Sequence, residues 1–529
     1  MSYRYLKTAR VVISVAFLVS ISFLFLDFRE IGARKIAEEV LYLQFVPSFL
    51  KFISEAALGA AGFLFVLGAT LLFGRIYCSF VCPLGSLQDA FSRVAHIRRF
   101  RSAKKRYRYS APHNVLRYGI LALTVIFPAV GIGLPLNILD PFSNFGRILS
   151  DIARPVVLII NNATAYLAEA FGYPGVYHVQ MPSVSIVSLG TAFLMLLVAG
   201  WLSARHGRLY CNSICPVGTL LGLISKYSLF RVRIVPSACR ECGACERICK
   251  SGCIDIGKKS VDPTRCVGCY NCLSVCPDQA MRLSFAIPKD SEREVPPAGR
   301  RNFLTVFTAL GLGFVASRAE AQQVKRIIQS RPTVIPEKRT SPISPPGSMG
   351  VEQFLSQCTA CHLCVSTCPS RVLVPSFLDY GLNGIMMPQM SFLSGHCNFD
   401  CTVCSEVCPS GAIRPLDKEK KHSTQVGVAE FIRENCVVYT DNTNCGACSE
   451  HCPTKAVHMV PYVGGVDRRL VIPEVDATLC VGCGGCEHAC PTRPYKAIYV
   501  NGNPVHKLAR KPEEKPLEQP VDDIGDFPF

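Results

Sequence analysis

Apolar and polar positions alternate in long blocks over the first part of the chain. Apolar runs occupy residues 11–26, 56–74, 115–136 and 183–203, the third broken only by Arg117. Each approaches the ~20 residues that an α-helix needs to cross a bilayer, so four membrane-spanning helices are expected. No small-residue cleavage site follows the first run, and it is read as a span rather than a secretory signal. The loop between the second and third runs carries Arg93, Arg98, Arg99, Arg101, Lys104, Lys105, Arg106 and Arg108. The next loop has only Arg147 and Arg154, which puts the basic loop and the amino terminus in the cytoplasm.

After the helical part (1–226) the pattern changes to short, cysteine-dense segments. Residues 227–290 form one unit, expected in the cytoplasm. Arg300-Arg301, a short apolar stretch and Ala319-Glu320-Ala321 together read as an internal twin-arginine export signal or anchor over 298–321. A Pro-rich linker (331–349) leads to a second cysteine-dense unit (350–500), expected in the periplasm, and 501–529 reads as a disordered tail.

Composition sharpens this picture. The chain has 529 residues, 29 Cys, a net charge of +17 and only 18% charged residues. Its mean hydropathy is +0.27. A positive mean over such a length belongs to a membrane protein, and the surplus of Lys and Arg follows from basic cytoplasmic loops without nucleic acid as a partner. Twenty-nine Cys in a chain this long do not describe a small disulfide-stapled domain, which leaves metal as the reason for the thiols.

The spacing identifies the metal. Cys239, Cys242, Cys245 and Cys249 form one C-x2-C-x2-C-x3-C run, and Cys266, Cys269, Cys272 and Cys276-Pro277 form the next. This is the bacterial ferredoxin spacing, in which three thiolates hold one [4Fe-4S] cubane and the fourth ligates its partner. One cluster is expected on Cys239, Cys242, Cys245 and Cys276, the other on Cys266, Cys269, Cys272 and Cys249. Tetrahedral zinc needs only paired C-x-x-C and does not explain repeated triplets. Four further runs follow: Cys358, Cys361, Cys364, Cys368; Cys397, Cys401, Cys404, Cys408; Cys436, Cys445, Cys448, Cys452; and Cys480, Cys483, Cys486, Cys490. Six [4Fe-4S] clusters are therefore expected. Cys253 stands outside these runs and reads as a small buried residue.

A second thiol device is duplicated. Arg75-Ile76-Tyr77-Cys78-x3-Cys82-Pro83-Leu84-Gly85 and Arg208-Leu209-Tyr210-Cys211-x3-Cys215-Pro216-Val217-Gly218 match in R-x-Y-C-x3-C-P-x-G and lie 133 positions apart. The first two spans should therefore mirror the last two. Both motifs end at the same membrane face, where Cys78, Cys82, Cys211 and Cys215 could share a metal or cluster, or remain two thiol pairs. No His lies in the middle of a span and no C-x-x-C-H occurs, so neither b-haem nor c-haem is expected, and no flavin loop is evident.

The paired C-x3-C-P motifs with a trailing two-cluster segment (about 1–290) resemble the NapH-type membrane quinol dehydrogenase accessory proteins. The paired arginines with a four-cluster segment (298–500) resemble their NapG-type partners, here fused in one chain. Membrane regulators of nitrous oxide reduction and copper-oxidase maturation proteins share the C-x3-C-P motifs. Gly299 before the paired arginines and Lys250 after Cys249 depart from the family pattern. The fold expected is a four-helix membrane domain of two pseudo-repeats, a two-cluster ferredoxin-like domain, an internal signal anchor and a four-cluster ferredoxin-like α+β domain. The resemblance implies a multi-pass protein of the bacterial inner membrane with its carboxy-terminal domain in the periplasm. It would be a quinol dehydrogenase subunit passing electrons from the quinone pool to a periplasmic reductase or cytochrome c, alongside other membrane redox subunits. The alternative is a maturation factor that reduces a metal site on a periplasmic client. Gln44, in an apolar loop on the outer side, and Asn137 and Asp140, at the end of the third run, are the candidate quinol-site residues.

Overall fold

The computed structural model describes residues 4–28, 32–55, 61–99, 107–173, 175–181, 185–285, 335–462 and 470–511. The expected export signal at 298–321 lies outside these residues. The amino-terminal part is helical: α1 (Arg4–Leu26), α2 (Ala33–Tyr42), α3 (Phe45–Glu55), α4 (Gly62–Phe73), α5 (Tyr77–Phe80), α6 (Pro83–Arg99), α7 (Asn114–Ala129), α8 (Leu134–Leu139), α9 (Pro141–Arg147), α10 (Arg154–Ala170), α11 (Ile186–His206), α12 (Leu209–Ser213) and α13 (Pro216–Ser225). A π-helical turn, Ile148–Ala153, joins α9 to α10.

Of the four expected spans, Tyr5–Leu26 and Ile186–His206 are long and apolar enough to cross a bilayer. The other two fall in the shorter apolar helices α4 and α7. Pro128 and the left-handed Gly131 close α7, and α8 takes up the rest of the third run. Outward-facing Val12, Val19, Phe65, Val125, Leu194 and Leu197 are each more than half exposed. An apolar belt of this kind is larger than a water-facing surface normally tolerates.

The duplication seen in sequence is a duplication in space. In each half an apolar helix (α4, α11) ends at a glycine with positive φ, Gly74 or Gly207. A one-turn helix carrying the first Cys follows (α5, α12), and then a helix that begins at the Pro of C-P (α6, α13). Pro suits that first position because its missing N–H would have no intrahelical partner there.

Two iron–sulfur units flank the helical part. In the first, β1 (Phe230–Ile234) pairs antiparallel with β4 (Met281–Phe285), and β2 (Ile254–Asp255) with β3 (Ser260–Val261). In the second, β5 (Leu373–Pro375) pairs with β6 (Pro388–Met390), β7 (Thr424–Phe431) with β10 (Ile498–Leu508), and β8 (Val457–Pro461) with β9 (Val471–Val475). The chain departs from the expected boundaries at two places. Residues 341–349 of the linker are part of the second unit: the Ile343 carbonyl accepts from the Met390 amide, and the Ser341 carbonyl from that of Gly502. The tail begins later than 501, because β10 runs on to Leu508 against β7.

The two units dock at opposite ends of α1. Near its start, Arg10 is paired with Asp89, which also holds Lys250 of the first unit at 3.3 Å. Near its end, Phe25 packs beside Gly146, where an added Cβ would meet the Cys361 carbonyl of the second unit at 2.4 Å. Arg10 and Phe25 are fifteen residues apart, or ~22 Å along a helix.

Candidate iron–sulfur sites and a buried thiol centre

The four regular cysteine runs share one backbone device. The residue before the second Cys (Glu241, Gly268, Ala360, Gly482) and the residue after it (Gly243, Tyr270, His362, Gly484) all have positive φ. Left-handed residues on both sides of the second Cys coil the loop around a centre, towards which the thiols converge; the third Cys then enters a short helix. Three of the eight positions are not Gly or a small residue, so the conformation costs strain that unliganded loops have no reason to bear.

The thiols neighbour one another across the runs. Cys245 feels the charge of Cys239 and Cys276, while Cys269 and Cys272 feel that of Cys249. In the second unit Cys358, Cys361 and Cys364 lie with Cys408, and Cys397 and Cys404 with Cys368. Cys436 lies with Cys490, and Cys480, Cys483 and Cys486 with Cys452. Burial, and then neighbouring thiolate charge, pushes the Cys448 and Cys483 thiols up to about 12. Such groups ionise only with a cationic partner, and an iron–sulfur core is one that needs four thiolates at once. Among the described residues no group of three or more His, Cys, Asp or Glu is gathered closely enough for a single metal ion. Sets of four thiols, three from one loop and one from another, are the donor sets that a cubane takes. Cys253 is buried with its Sγ 3.5 Å from that of Cys249 and is surplus to both sets.

The duplicated motif builds a second kind of site. Cys78, Cys82, Cys211 and Cys215 are each 4% exposed, and all are free thiols. Cys215 lies within electrostatic reach of the other three, and Cys82 of Cys78 and Cys211. The arginines of the motif cross over. Arg75 donates to the Cys211 carbonyl at 2.9 Å, and Arg208 donates to the Cys78 carbonyl at 2.6 Å. Each guanidinium also stands about 4 Å from the first thiol of its own motif, at 3.9 Å for Cys78 and 4.0 Å for Cys211. Gly85 and Gly218 leave room for this: a Cβ at either would sit 2.3 Å from the carbonyl that accepts the arginine. The halves differ in the side-chain partners of the two arginines. Arg208 also pairs with Asp89 at 2.9 Å, whereas Arg75 donates to Asn212 at 2.9 Å.

This centre adjoins the first iron–sulfur unit. Arg75 donates to the Thr264 carbonyl at 2.9 Å, Ser79 to that of Val267, and Asn212 to that of Ser251 at 3.0 Å. On its other side lies a buried polar nest. Tyr77 donates to Gln44 at 3.4 Å, and Tyr77 and Tyr210 both lie within electrostatic reach of Asp140. Gln44, Asn137 and Asp140, the candidate quinol residues, are thus brought to one region, but each is at most 1% exposed. One Asp140 oxygen caps α9 through the Ser143 amide at 2.8 Å. Its other oxygen, with Gln44 Nε2, Asn137 Nδ2, one Arg147 nitrogen and Tyr210 Oη, is buried without a partner. Groups so placed call for bound water or another polar occupant.

Sequence reasoning did not single out Tyr77, Tyr210 or Arg147, although the two tyrosines stand at matched places in the repeat. It also missed the contact between units: His362 Nδ1 lies 3.2 Å from Asp151 of the π-helical turn, and its Nε2 is 2.8 Å from the Met386 carbonyl.

A model described as a 4Fe-4S binding domain matches residues 56–105 and again 188–236, the two copies of the C-x3-C-P motif. A 4Fe-4S dicluster domain matches 238–280 and 442–493, and a further 4Fe-4S binding domain matches 355–381. The methylamine utilization ferredoxin-type protein MauM of Methylophilus methylotrophus is 31% identical over 189 residues, covering 35% of this chain and 79% of that protein. The chain belongs to the NapH/MauM family of ferredoxin-type proteins. The ferredoxin-type protein NapH of Haemophilus influenzae is 26% identical over 51% of this chain and 80% of its own length. An uncharacterized protein of Methanocaldococcus jannaschii is 32% identical over 114 residues, and the chain spans 45% of its length. No solved structure matches. This family member is an iron–sulfur protein of electron transfer.

Proposed function

We propose that the chain is a multi-pass protein of the bacterial inner membrane that takes electrons from quinol and delivers them to a periplasmic oxidoreductase or cytochrome. One observation carries the reading. A single apolar core runs from Val267 and Cys269 of the first iron–sulfur unit, through Cys78, Cys82, Cys211 and Cys215, to Cys361, Val403 and Val407 of the second. The core thus joins the duplicated thiols to one cysteine run of the first unit and two of the second, through Cys269, Cys361 and Cys401. When bound, each cubane stores one electron, so a series of them suits a donor that gives up two electrons. The ligand sets are the six crosswise groups described above, and the four thiols of the duplicated motif hold a further cluster. Arg75 and Arg208 offset the charge of those buried thiolates.

The sidedness follows from the basic loop. Ser110, just after it, accepts from Arg265 and donates to the Gly252 carbonyl, so that loop and the first unit share one face, the cytoplasmic one. The second unit, at the other end of α1, is then periplasmic.

The test is a count of iron and acid-labile sulfide after anaerobic purification, coupled to quinol oxidation. Six four-thiol sets at four iron atoms each give about 24 iron atoms, and the duplicated motif adds about four. Cys78→Ser with Cys211→Ser should lose the extra iron. Zinc in place of iron would refute the cluster reading. Unchanged iron in the double variant would make these thiols structural.

A further inference from the structure

A cavity of about 380 Å³ opens where the helical part meets the second iron–sulfur unit. One wall is formed by α2 and α3, with Glu38, Leu41 and Lys51; the other is formed by Glu406, Val407 and Cys408. The volume falls in the range of ordinary small-molecule sites, ~300–1,000 Å³. Three features of its walls narrow the occupant.

The first is the thiol. Cys408 lies with Cys358, Cys361 and Cys364, so a molecule in the cavity touches a ligand of a one-electron centre. The second is position. α2 and α3 follow directly on α1, and the outward face of α3 presents Phe49 at 42% and Ile53 at 63% exposure. The cavity therefore lies at the level where the apolar helix ends, with greasy side chains on the approach, as a lipid-soluble molecule requires. The third is charge. Glu38 and Glu406 place one carboxylate on each wall and Lys51 adds a cation, while Leu41, Val407, Pro409 and Pro415 supply the apolar part.

We infer that this cavity, and not the enclosed nest around Asp140, binds the hydroquinone head group of a membrane quinol. The inference rests on the quinol reading above and gives it a place. Oxidation breaks the two O–H bonds of the head group and turns two C–OH groups into carbonyls. The two protons pass to the carboxylates of Glu38 and Glu406. Cys408, with Cys358, Cys361 and Cys364, would hold a one-electron iron–sulfur centre beside the cavity; such a centre would take the two electrons one at a time and be reoxidised by the periplasmic acceptor. Lys51 orients one phenolic oxygen. Asp140 is unsuited to a head group, since its capping oxygen is committed to Ser143 and its surroundings are closed to solvent.

The test uses the full chain in lipid nanodiscs under anaerobic conditions, with a photoreactive azido-naphthoquinol as probe and menadiol as competitor. Label is expected in peptides spanning 38–51 and 406–415. Lys51→Trp fills the cavity and should lower labelling at least about tenfold, the equivalent of about 1.4 kcal/mol of binding, while iron content and dithionite-reduced spectra stay as in the parent. Glu38→Trp, at an exposed position, should give the same loss and serves if Lys51→Trp does not assemble. Label in the 137–147 peptide, or undiminished label in both variants, overturns the site while leaving quinol as the donor. Absence of label together with no reduction by menadiol of a parent protein that dithionite does reduce overturns the donor as well.

Discussion

Arg208→Met should destabilise the helical domain through one identifiable carboxylate. Arg208 is fully buried, donates to the Cys78 carbonyl at 2.6 Å and pairs with Asp89 at 2.9 Å. Truncating one partner of a buried ion pair costs roughly 3–5 kcal/mol because the other charge is left behind. Asp89 keeps Arg10 and Lys250 as partners, which argues for the lower end, about 3 kcal/mol. At about 2–4 °C per kcal/mol for a domain of ~150–250 residues, the thermal midpoint should fall by about 6–12 °C. The assay is thermal unfolding of the detergent-solubilised, cluster-loaded protein, with Asp89→Asn as the second arm of a double-mutant cycle. The coupling between Arg208 and Asp89 should exceed about 1 kcal/mol, within the range of ~0.5–3 kcal/mol seen for contacting pairs. Arg75→Met, whose guanidinium meets Asn212 and two carbonyls but no carboxylate, should be equally unstable yet show no coupling to Asp89. A coupling below about 0.5 kcal/mol for Arg208, or an equal one for Arg75, would refute the reasoning.

Gly484→Ala should destabilise the second iron–sulfur unit by about 2–4 kcal/mol, since strain at φ +76 adds to a Cβ placed 2.1 Å from the Phe392 ring; unfolding with and without iron would measure it. Burial lowers the His506 imidazole to about 4, against an ordinary value of ~6.5. The unfolded chain then binds more protons between these values, so stability should be intact above pH ~6.5 and fall as pH drops towards ~4; a His506→Gln variant should lose that slope. Cys253→Ala should leave the iron count unchanged, because both crosswise sets beside it already have four thiols; loss of about four iron atoms would make Cys253 a ligand.

Local signals in the sequence carried the chemistry, and long-range ones did not. Cysteine spacing gave the loops that bring thiols together, because their geometry is written into three-residue intervals. The repeat gave the pairing of Cys78 with Cys211 because matched residues of a duplication occupy matched places. The docking of the second unit was not legible: His362 and Asp151 are 211 positions apart, and neither lies in a pattern that points to the other. The same holds for residues 341–349, whose Pro-rich composition reads as a linker although tertiary hydrogen bonds hold it. Helix α7 is shorter than the apolar run that announced it, because apolar composition does not reveal that Pro128 and Gly131 end it.

The crossed arginines carry an implication about ancestry. Each half supplies the guanidinium that the other half's carbonyl needs, so neither motif is complete within its own half. Reciprocal exchange of this kind is the signature of a two-fold contact between identical subunits, where residue i meets j and j meets i. A gene encoding one half would have made a homodimer with the same lock twice over, and fusion then freed the copies to diverge. Asp89, whose counterpart in the other half is Gly222, records that divergence: one side gained a carboxylate that also holds Lys250 of the first iron–sulfur unit, and the pseudo-dimer acquired a direction that a true dimer cannot have.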